Sequence, residues 1–363
     1  MSRPLKSSGF VGLRKYSAAI GFANLLAMGT LDAQSSLPTL PSFDGRPLTL
    51  SASAVSALGR GDPVVELLES KDPRVVAVLG IIAVNVARTF FVSRFTDFPQ
   101  SLRLPGRTQL GVFGTPALLT DAGSVGVSHA DIAALRACRP GSCAFKLPSS
   151  EMTQLRAIID NAGAGAPAEI ARYARKRAAE YVNAYREHGD AAMVVYDDFG
   201  RAPVHASDAF AALLSNTTYL TQNAPLLEQS LTGSPRRRID GAAEAIYWAR
   251  DEAMGMRPTL SVTQITVYSP PEKPLITVGV TKQLFADHYF ESAFDLFVAV
   301  SRTDIPRGEG MYLMVLRQDR FDHLPSGGIL NIRARVNRWL HDRTDVELRL
   351  LRSDYHAAWN RRR

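Results

Sequence analysis

Hydrophobic and polar positions alternate at every second residue in the C-terminal third of the chain. The clearest run covers residues 290–300, where Phe294 and the other even-numbered residues share one face while Glu291 and Asp295 lie on the other. Such a run predicts a strand with one face in the core, and short polar breaks between successive runs indicate an antiparallel meander. Strands of this kind are predicted over residues 260–268, 276–281, 290–300 and 311–316.

Helical spacing replaces this alternation in the middle of the chain and near its end. Between residues 149 and 255, apolar side chains recur every three or four positions, and Gly189 ends the longest amphipathic stretch. A last helix is predicted over 329–342 with Trp339 on its inner face, and residues 346–363 are predicted to form a basic tail. Further helices are predicted over residues 170–188, 206–214 and 242–252.

The first structured block, residues 61–148, mixes both periods. Residues 74–86 form a long run of apolar, mostly β-branched side chains, which predicts a buried strand. Ser128 is a good N-cap for a short helix that follows it. Helices are also predicted over 64–68 and 87–95, and strands over 109–113 and 144–147. The order of the blocks 61–148, 149–255 and 256–345 predicts an α+β fold in one composite domain over 61–345.

The first 33 residues predict a removable secretory signal. Residues 1–15 carry four basic and no acidic side chains, residues 16–30 are apolar and uncharged, and Ala33 is a small residue suited to cleavage. An uncleaved membrane anchor and a mitochondrial-type presequence are the alternatives, although the apolar run is short for a membrane span. The prediction is therefore a periplasmic or secreted protein, in which residues 34–60, rich in Ser, Pro and Gly, form a flexible lead-in.

Export also changes the charge balance. The formal net charge of +7 falls to +4 without residues 1–33, because that segment holds four basic residues and one acidic residue. A nucleic-acid-binding protein normally shows a concentrated basic stripe, and only two short arginine runs occur here. Nucleic acid is therefore not an expected partner.

Cys138 and Cys143 are the only two cysteines, and Pro140 and Gly141 between them predict a turn. In an oxidising compartment such a pair is expected to close a small disulfide loop. A redox pair and half of a metal site are the alternatives. A redox pair usually has the tighter C-x-x-C spacing, and no second Cys/His pair accompanies this one.

Three motifs resemble a group of exported bacterial proteins of unknown function. They are LRACRPGSC with KLP over residues 135–148, YWAR over 247–250 and ADHYF over 286–290. The resemblance covers most of the chain after residue 60, and it implies no particular activity. Residues 316–320 depart from the pattern of the group.

A second resemblance is to START-like helix-grip domains, in which a twisted antiparallel sheet wraps around a long C-terminal helix. It rests on the strand 75–86 leading into a short helix, and on the final strands running into the helix 329–342. The helical block between them is larger than usual in such domains. The resemblance implies a cavity for an apolar ligand between the sheet and the last helix.

The most prominent polar cluster contains Lys282, Asp287, His288, Tyr289 and Glu291. His288 beside Asp287 is a candidate general base with an orienting acid. Neighbouring residues on a strand point to opposite faces, however, so this pairing requires a turn or a bulge. The alternative is that His288 and Tyr289 hydrogen-bond to the backbone at a strand bend or line a pocket.

Other catalytic and binding motifs are missing from the sequence. There is no G-x-S-x-G nucleophile motif, no phosphate-binding glycine loop and no pair of histidines at i, i+4 spacing, so no cofactor or metal is expected. The sequence favours a non-catalytic periplasmic protein that binds an apolar or lipid-like ligand. A hydrolase-like enzyme using His288 and a structural or interaction protein of the envelope are the alternatives. Peripheral contact with the membrane stays open, and no oligomeric state is indicated. The candidate ligand-binding residues are Lys282, His288, Tyr289, Phe294 and Trp339.

Overall fold

The computed structural model of the protein describes residues 37–200, 202–235, 237–252, 256–305, 309–325 and 331–362. The predicted signal over residues 1–33 lies outside these residues. Within the described ranges, no helix combines the length and the apolar character needed to cross a membrane.

In the part of the chain that the structure describes, eight antiparallel strands form one large sheet, and two pairs of short strands lie outside it. The strands are β1 (Ser42–Phe43), β2 (Arg46–Pro47), β3 (Val64–Leu68), β4 (Val75–Val84), β5 (Arg107–Val112), β6 (Val195–Tyr196), β7 (Val204–His205), β8 (Ala243–Asp251), β9 (Thr259–Tyr268), β10 (Ile276–Ala286), β11 (Phe290–Ser301) and β12 (Met311–Phe321). The large sheet has the order β3-β4-β12-β11-β10-β9-β8-β5, and β1–β2 and β6–β7 form the two small pairs.

Helices cover both faces of this sheet. They are α1 (Ala52–Arg60), α2 (Arg88–Phe95), α3 (Phe98–Ser101), α4 (His129–Ala137), α5 (Ser149–Ala162), α6 (Ala166–His188), α7 (Ala206–Leu214), α8 (Tyr219–Asn223), α9 (Pro225–Leu231) and α10 (Ile332–Asn360). The predicted α+β class is therefore confirmed. Cys138 and Cys143, which follow α4, form the expected disulfide.

The long helix α10 packs on one face of the sheet, which we call the α10 face. Leu348 and Tyr355 pack with Ile82 and Val84 of β4, and Val336 packs with other β4 residues closer to its start. All ten residues of β4 are buried, because α10 covers one face of the strand and other elements cover the opposite face.

The opposite face, which we call the back face, is covered by helices between residues 149 and 231, which we call the helical block. The Tyr185 hydroxyl of α6 donates a hydrogen bond of 2.5 Å to the Gln264 side chain of β9. Phe210 of α7 lies with its ring centre 5.9 Å from that of Phe294 on β11. The even-numbered side chains of the central strands β9 to β11 thus pack against the helical block, and the odd-numbered ones face α10.

Gly80 of β4 allows α10 to approach the sheet closely. A Cβ atom at this position would lie 2.7 Å from the Thr344 Cγ2 atom and 2.9 Å from the Leu348 Cδ1 atom, distances that real side chains do not tolerate. Gly279 of β10 carries no such constraint, because its added Cβ would meet only ordinary contacts at 3.5 Å.

We therefore expect Gly80→Ala to lower the free energy of unfolding by about 1–2 kcal/mol, since an extra methyl group must displace α10. The matched variant Gly279→Ala should change it by less than about 0.5 kcal/mol. Urea denaturation of both variants measures the difference. Equal effects of the two substitutions would contradict the close approach at Gly80.

Five sequence-based predictions of local structure were wrong. Residues 64–68 and 242–252, predicted as helices, form the strands β3 and β8. Residues 144–147 form no strand. Part of the lead-in 34–60 is structured as β1, β2 and α1, with Phe43 and Leu58 only 2% exposed. The basic tail over 346–363 instead continues α10 to Asn360, because Tyr355 and Ala358 pack against α2.

Candidate functional site

A cavity of about 900 Å³ lies between the α10 face of the sheet and helix α10. Helix α10 contacts mainly the edge strand β3 and its neighbour β4, so the central strands are left without a helix resting directly on them. Several of the residues on β9 to β11 that face this space are short, such as Ser261, Thr281 and Ala293, and they leave part of it unfilled. The segment from α2 to β5 closes a further side with Phe95 and Leu102.

The register of the strands divides the cavity wall into an apolar end and a polar end. At the apolar end, Val315 of β12 lies opposite Phe297 of β11, and Phe297 lies opposite Gly279 of β10. Two residues further along, Arg317 lies opposite Asp295, and Asp295 lies opposite Thr281. The cavity wall is therefore amphipathic: one part, which we call the apolar end, is lined by aromatic and aliphatic side chains, and the other part, which we call the polar end, holds the charged groups together with Phe290 and Phe321.

Charged side chains at the polar end connect α10 to the sheet. The Arg317 Nη2 atom lies 2.5 Å from the Glu347 Oε2 atom, and the Arg343 Nε atom donates to the Glu347 Oε1 atom at 2.7 Å. The guanidinium of Arg107 donates two hydrogen bonds of 3.1 Å to the carboxylate of Asp251. These three arginines are thus each engaged by a carboxylate within the protein.

Burial and charge act in opposite directions on this network. Burial disfavours the charged form of Arg317, but the carboxylates of Glu347 and Asp295 outweigh it and raise the pKa of the guanidinium. Burial likewise tends to raise the pKa of Glu347, yet the two arginines beside it hold that pKa below its usual range. Both partners of the central ion pair therefore stay charged near neutral pH.

Two further carboxyl groups, those of Asp295 and Asp319, face the cavity, and neither has an arginine as close to it as Glu347 has. Burial raises the pKa of Asp295, whose nearest cation is the Arg317 Nε atom at 3.9 Å. Burial also raises the pKa of Asp319 to about 7, and the negative charge of Asp295 adds to this effect. Within the described part of the chain, the Asp319 side chain makes no hydrogen bond and no ion pair.

The exposed residues of the cavity lining indicate where the cavity opens. Arg103, Pro105 and Thr108 lie on the segment around the start of β5, and Leu350 and Asp354 lie on α10. We infer that the mouth lies between this segment and the C-terminal half of the helix.

The candidate ligand-binding residues from the sequence do not lie together. Trp339 lines the cavity, and Arg343 stacks over its ring at 5.0 Å. Lys282 and Phe294 are on the back face of the sheet. Lys282 is 1% exposed, forms an ion pair with Asp190 and donates to the Leu231 carbonyl at 2.6 Å. Its side chain therefore lies on the opposite side of the sheet from the cavity, where it holds the helical block.

His288 and Tyr289 lie in the bend between β10 and β11, outside the cavity lining. The His288 Nδ1–H group donates a hydrogen bond of 2.9 Å to the Ala144 carbonyl, and the centre of the ring lies 4.6 Å from that of Phe145. Burial lowers the pKa of His288 to about 4. The carboxylate of Asp287 accepts a hydrogen bond from the Leu260 backbone amide and not from His288. Tyr289 adopts a left-handed backbone conformation with φ of 61°.

The charged cavity residues Arg107, Asp251, Arg317, Asp319, Arg343 and Glu347 were not identified from the sequence. Arg317 and Asp319 continue the odd-numbered series begun by the buried Leu313 and Val315, so they are charged residues at inward positions of a strand. That departure from the pattern was the available signal. Among the described residues, no group of three or more His, Cys, Asp or Glu side chains is arranged to hold a metal ion.

No protein-family model matches the chain, and no curated protein matches it significantly.

Proposed function

We propose that this protein is exported and that it binds an amphipathic, lipid-like ligand in the cavity between the sheet and α10, without catalysing a reaction. The observation that carries the proposal is the cavity itself. Its volume of about 900 Å³ is in the range of small-molecule sites, which are mostly apolar and have a few placed polar groups. The apolar end would hold a hydrocarbon portion and the polar end a headgroup.

The arrangement of sheet and helix supports the resemblance to START-like helix-grip domains, in which a ligand lies between the sheet and the last helix. The meander β8 to β12 leads directly into α10, and β4 completes the sheet beside β12, under the helix. The disulfide between Cys138 and Cys143 supports export, since such bonds persist mainly in oxidising compartments.

We expect Ala293→Trp to reduce the affinity for a neutral fluorescent amphiphile, N-phenyl-1-naphthylamine, at least tenfold, because an indole at this position of the cavity wall occupies part of the ligand space. Ala293 lines the cavity, whereas Ala212 on α7 is exposed on another part of the molecule, so Ala212→Trp is the matched control. The affinity is measured by fluorescence titration, and thermal unfolding verifies that both variants are folded.

The protein for this experiment is purified from the periplasm of an expression host without detergent. Native mass spectrometry then tests for a co-purified ligand, and an intact mass lacking about 33 N-terminal residues is expected if the signal is cleaved. The binding proposal fails if the purified protein carries no ligand and wild type and Ala293→Trp bind the probe equally.

A further inference from the structure

A row of side chains crosses the polar end of the cavity wall, one strand after another. Asp319 of β12 lies opposite Ala293 of β11. Ala293 precedes Phe294, which pairs with Lys282 of β10, and so lies beside Gln283, which is itself opposite Thr263 of β9. Asp319 and Gln283 therefore face the cavity on either side of Ala293, with their backbones roughly 10 Å apart across two strand spacings.

Ala293 leaves room between these two polar groups. Its side chain is a single methyl group, so the space above it is open to the cavity. The Gln283 side chain is only 9% exposed, and its Oε1 atom has no hydrogen-bond partner within the described residues. A buried amide with an unsatisfied atom costs free energy, and a ligand that contacts this amide would recover part of that cost.

The balance of charges at the polar end indicates what kind of ligand group is missing. Arg107 is engaged by Asp251, and Glu347 engages both Arg317 and Arg343. Asp295 lies opposite Arg317 at 3.9 Å. Each guanidinium thus has a carboxylate, whereas the carboxyl group of Asp319 has no cationic partner within ion-pair distance in the described structure. A ligand anion would have to displace one of these carboxylates, whereas a cation would complete the set.

We propose that the headgroup of the ligand is a primary ammonium or a similar cationic N–H donor, held above Ala293 between the carboxylate of Asp319 and the side-chain amide of Gln283. This inference rests on the proposed function and specifies its ligand class as an amphipathic amine. The ammonium would donate charge-assisted hydrogen bonds to Asp319, and the amide of Gln283 would accept another after rotating about its terminal bond. The hydrocarbon part of the amine would extend toward Phe297 and Val315 at the apolar end.

Three probes with the same chain and different headgroups test the inference: dodecylammonium, dodecanol and dodecanoate. We expect wild-type protein at pH 8 to bind dodecylammonium at least tenfold more tightly than either of the others, measured by isothermal titration calorimetry below the concentration at which micelles form. A preference for dodecanoate, or equal binding of all three, would overturn the inference.

The variant Asp319→Asn keeps the shape of the side chain and removes its charge. We expect it to weaken dodecylammonium binding at least tenfold and to leave dodecanol within about twofold of wild type. Asp354→Asn is the matched control, because Asp354 is also a cavity-lining carboxylate but is exposed at the mouth. Equal losses in both variants would show a general electrostatic effect and overturn the assignment to Asp319.

Gln283→Leu is a second variant that leaves the charges unchanged. We expect it to weaken dodecylammonium binding by about threefold to tenfold, since it removes one hydrogen bond to a charged group. The outcomes separate this inference from the proposed function. If dodecanol and dodecanoate bind and Ala293→Trp abolishes their binding, the cavity binds amphiphiles and only the amine assignment fails. If none of the three probes binds, both proposals fail.

Discussion

Glu347→Ala should lower the free energy of unfolding by about 3–5 kcal/mol, the range measured when one partner of a buried ion pair is removed. The Glu347 side chain is 7% exposed and that of Arg317 is 12% exposed, so neither charge can turn to bulk water. Without the carboxylate, Arg317 and Arg343 face each other across the polar end of the cavity, and among the described residues Arg317 keeps only Asp295 within ion-pair distance. Urea denaturation at pH 7 measures the loss.

Two control variants test whether burial of the ion pair causes the loss of stability in Glu347→Ala. Asp345→Ala on the same helix removes the partner of Arg349, which is 53% exposed, and should cost less than about 1 kcal/mol. The double variant Arg317→Met with Glu347→Leu removes one guanidinium together with the carboxylate and should regain part of the stability lost in Glu347→Ala, because only Arg343 is then left without Glu347. If Glu347→Ala costs no more than Asp345→Ala, then water in the cavity solvates the arginines and the network does not hold α10 on the sheet.

Asp319→Asn should become more stable than wild type as the pH rises. Burial raises the pKa of Asp319 from 3.8 to about 7 in the folded protein, so between these values the folded state retains a proton that the unfolded chain releases. The free energy of unfolding of wild type therefore falls with increasing pH through this range, and the loss is complete above about pH 7. Asparagine does not titrate, so the variant lacks this loss.

The advantage of Asp319→Asn over wild type should grow between pH 4 and pH 8 by up to about 4 kcal/mol, the free energy that corresponds to a shift of about three pKa units. Denaturation curves at the two pH values measure it. Asp287, whose pKa is raised to about 7 by burial, has the same pH dependence but is present in both proteins and cancels. The exposed substitution Asp354→Asn should show no such growth, and a constant difference for Asp319→Asn would contradict a buried carboxyl group.

Both predictions concern charged side chains that face the cavity. Inward-facing charges lower the stability of the empty protein, because each must be desolvated, and natural chains retain such groups chiefly at functional sites. Glu347 is stabilised by two arginines, whereas Asp319 has no cation within ion-pair distance in the described structure. The carboxyl group of Asp319 therefore lowers the stability of the folded protein, and the proposed amine would supply the cation that this group lacks.

The success of the sequence-based predictions depended on whether one face of an element was exposed. The strands β10, β11 and β12 show alternation, and each was predicted to begin where it does, although β10 and β12 extend five residues beyond their predicted ends. The strand β8 has helix-forming Ala and Glu residues, but Tyr247 and Trp248 are buried on opposite faces of the sheet, and tertiary packing outweighs the weak local preference. The end of α10 appeared to be a tail because its charged residues outnumber the few apolar ones that pack.

A β-bulge shows how a small irregularity redirects side chains. The register of β11 and β12 shifts between Phe290 and Ser292. Phe290 therefore lines the cavity, whereas strict alternation placed it on the same face as Phe294. Glu291 is 1% exposed and pairs with Arg74 and Arg320, so it does not share the cavity face with Asp295. A period of two cannot predict such a shift, because one inserted residue reverses every orientation beyond it.

The sequence by itself determined the α+β class, the strands β9 to β12, the disulfide and the inward position of Trp339, because each depends on local spacing of residue types. Only the tertiary structure decided which faces of the strands meet α10 and which meet the helical block. It placed Lys282 and Phe294 behind the sheet, and it brought Arg107, Arg317 and Arg343 from three distant segments to one end of a cavity. Such contacts depend on strand order and register across hundreds of residues, which hydrophobic periodicity does not encode.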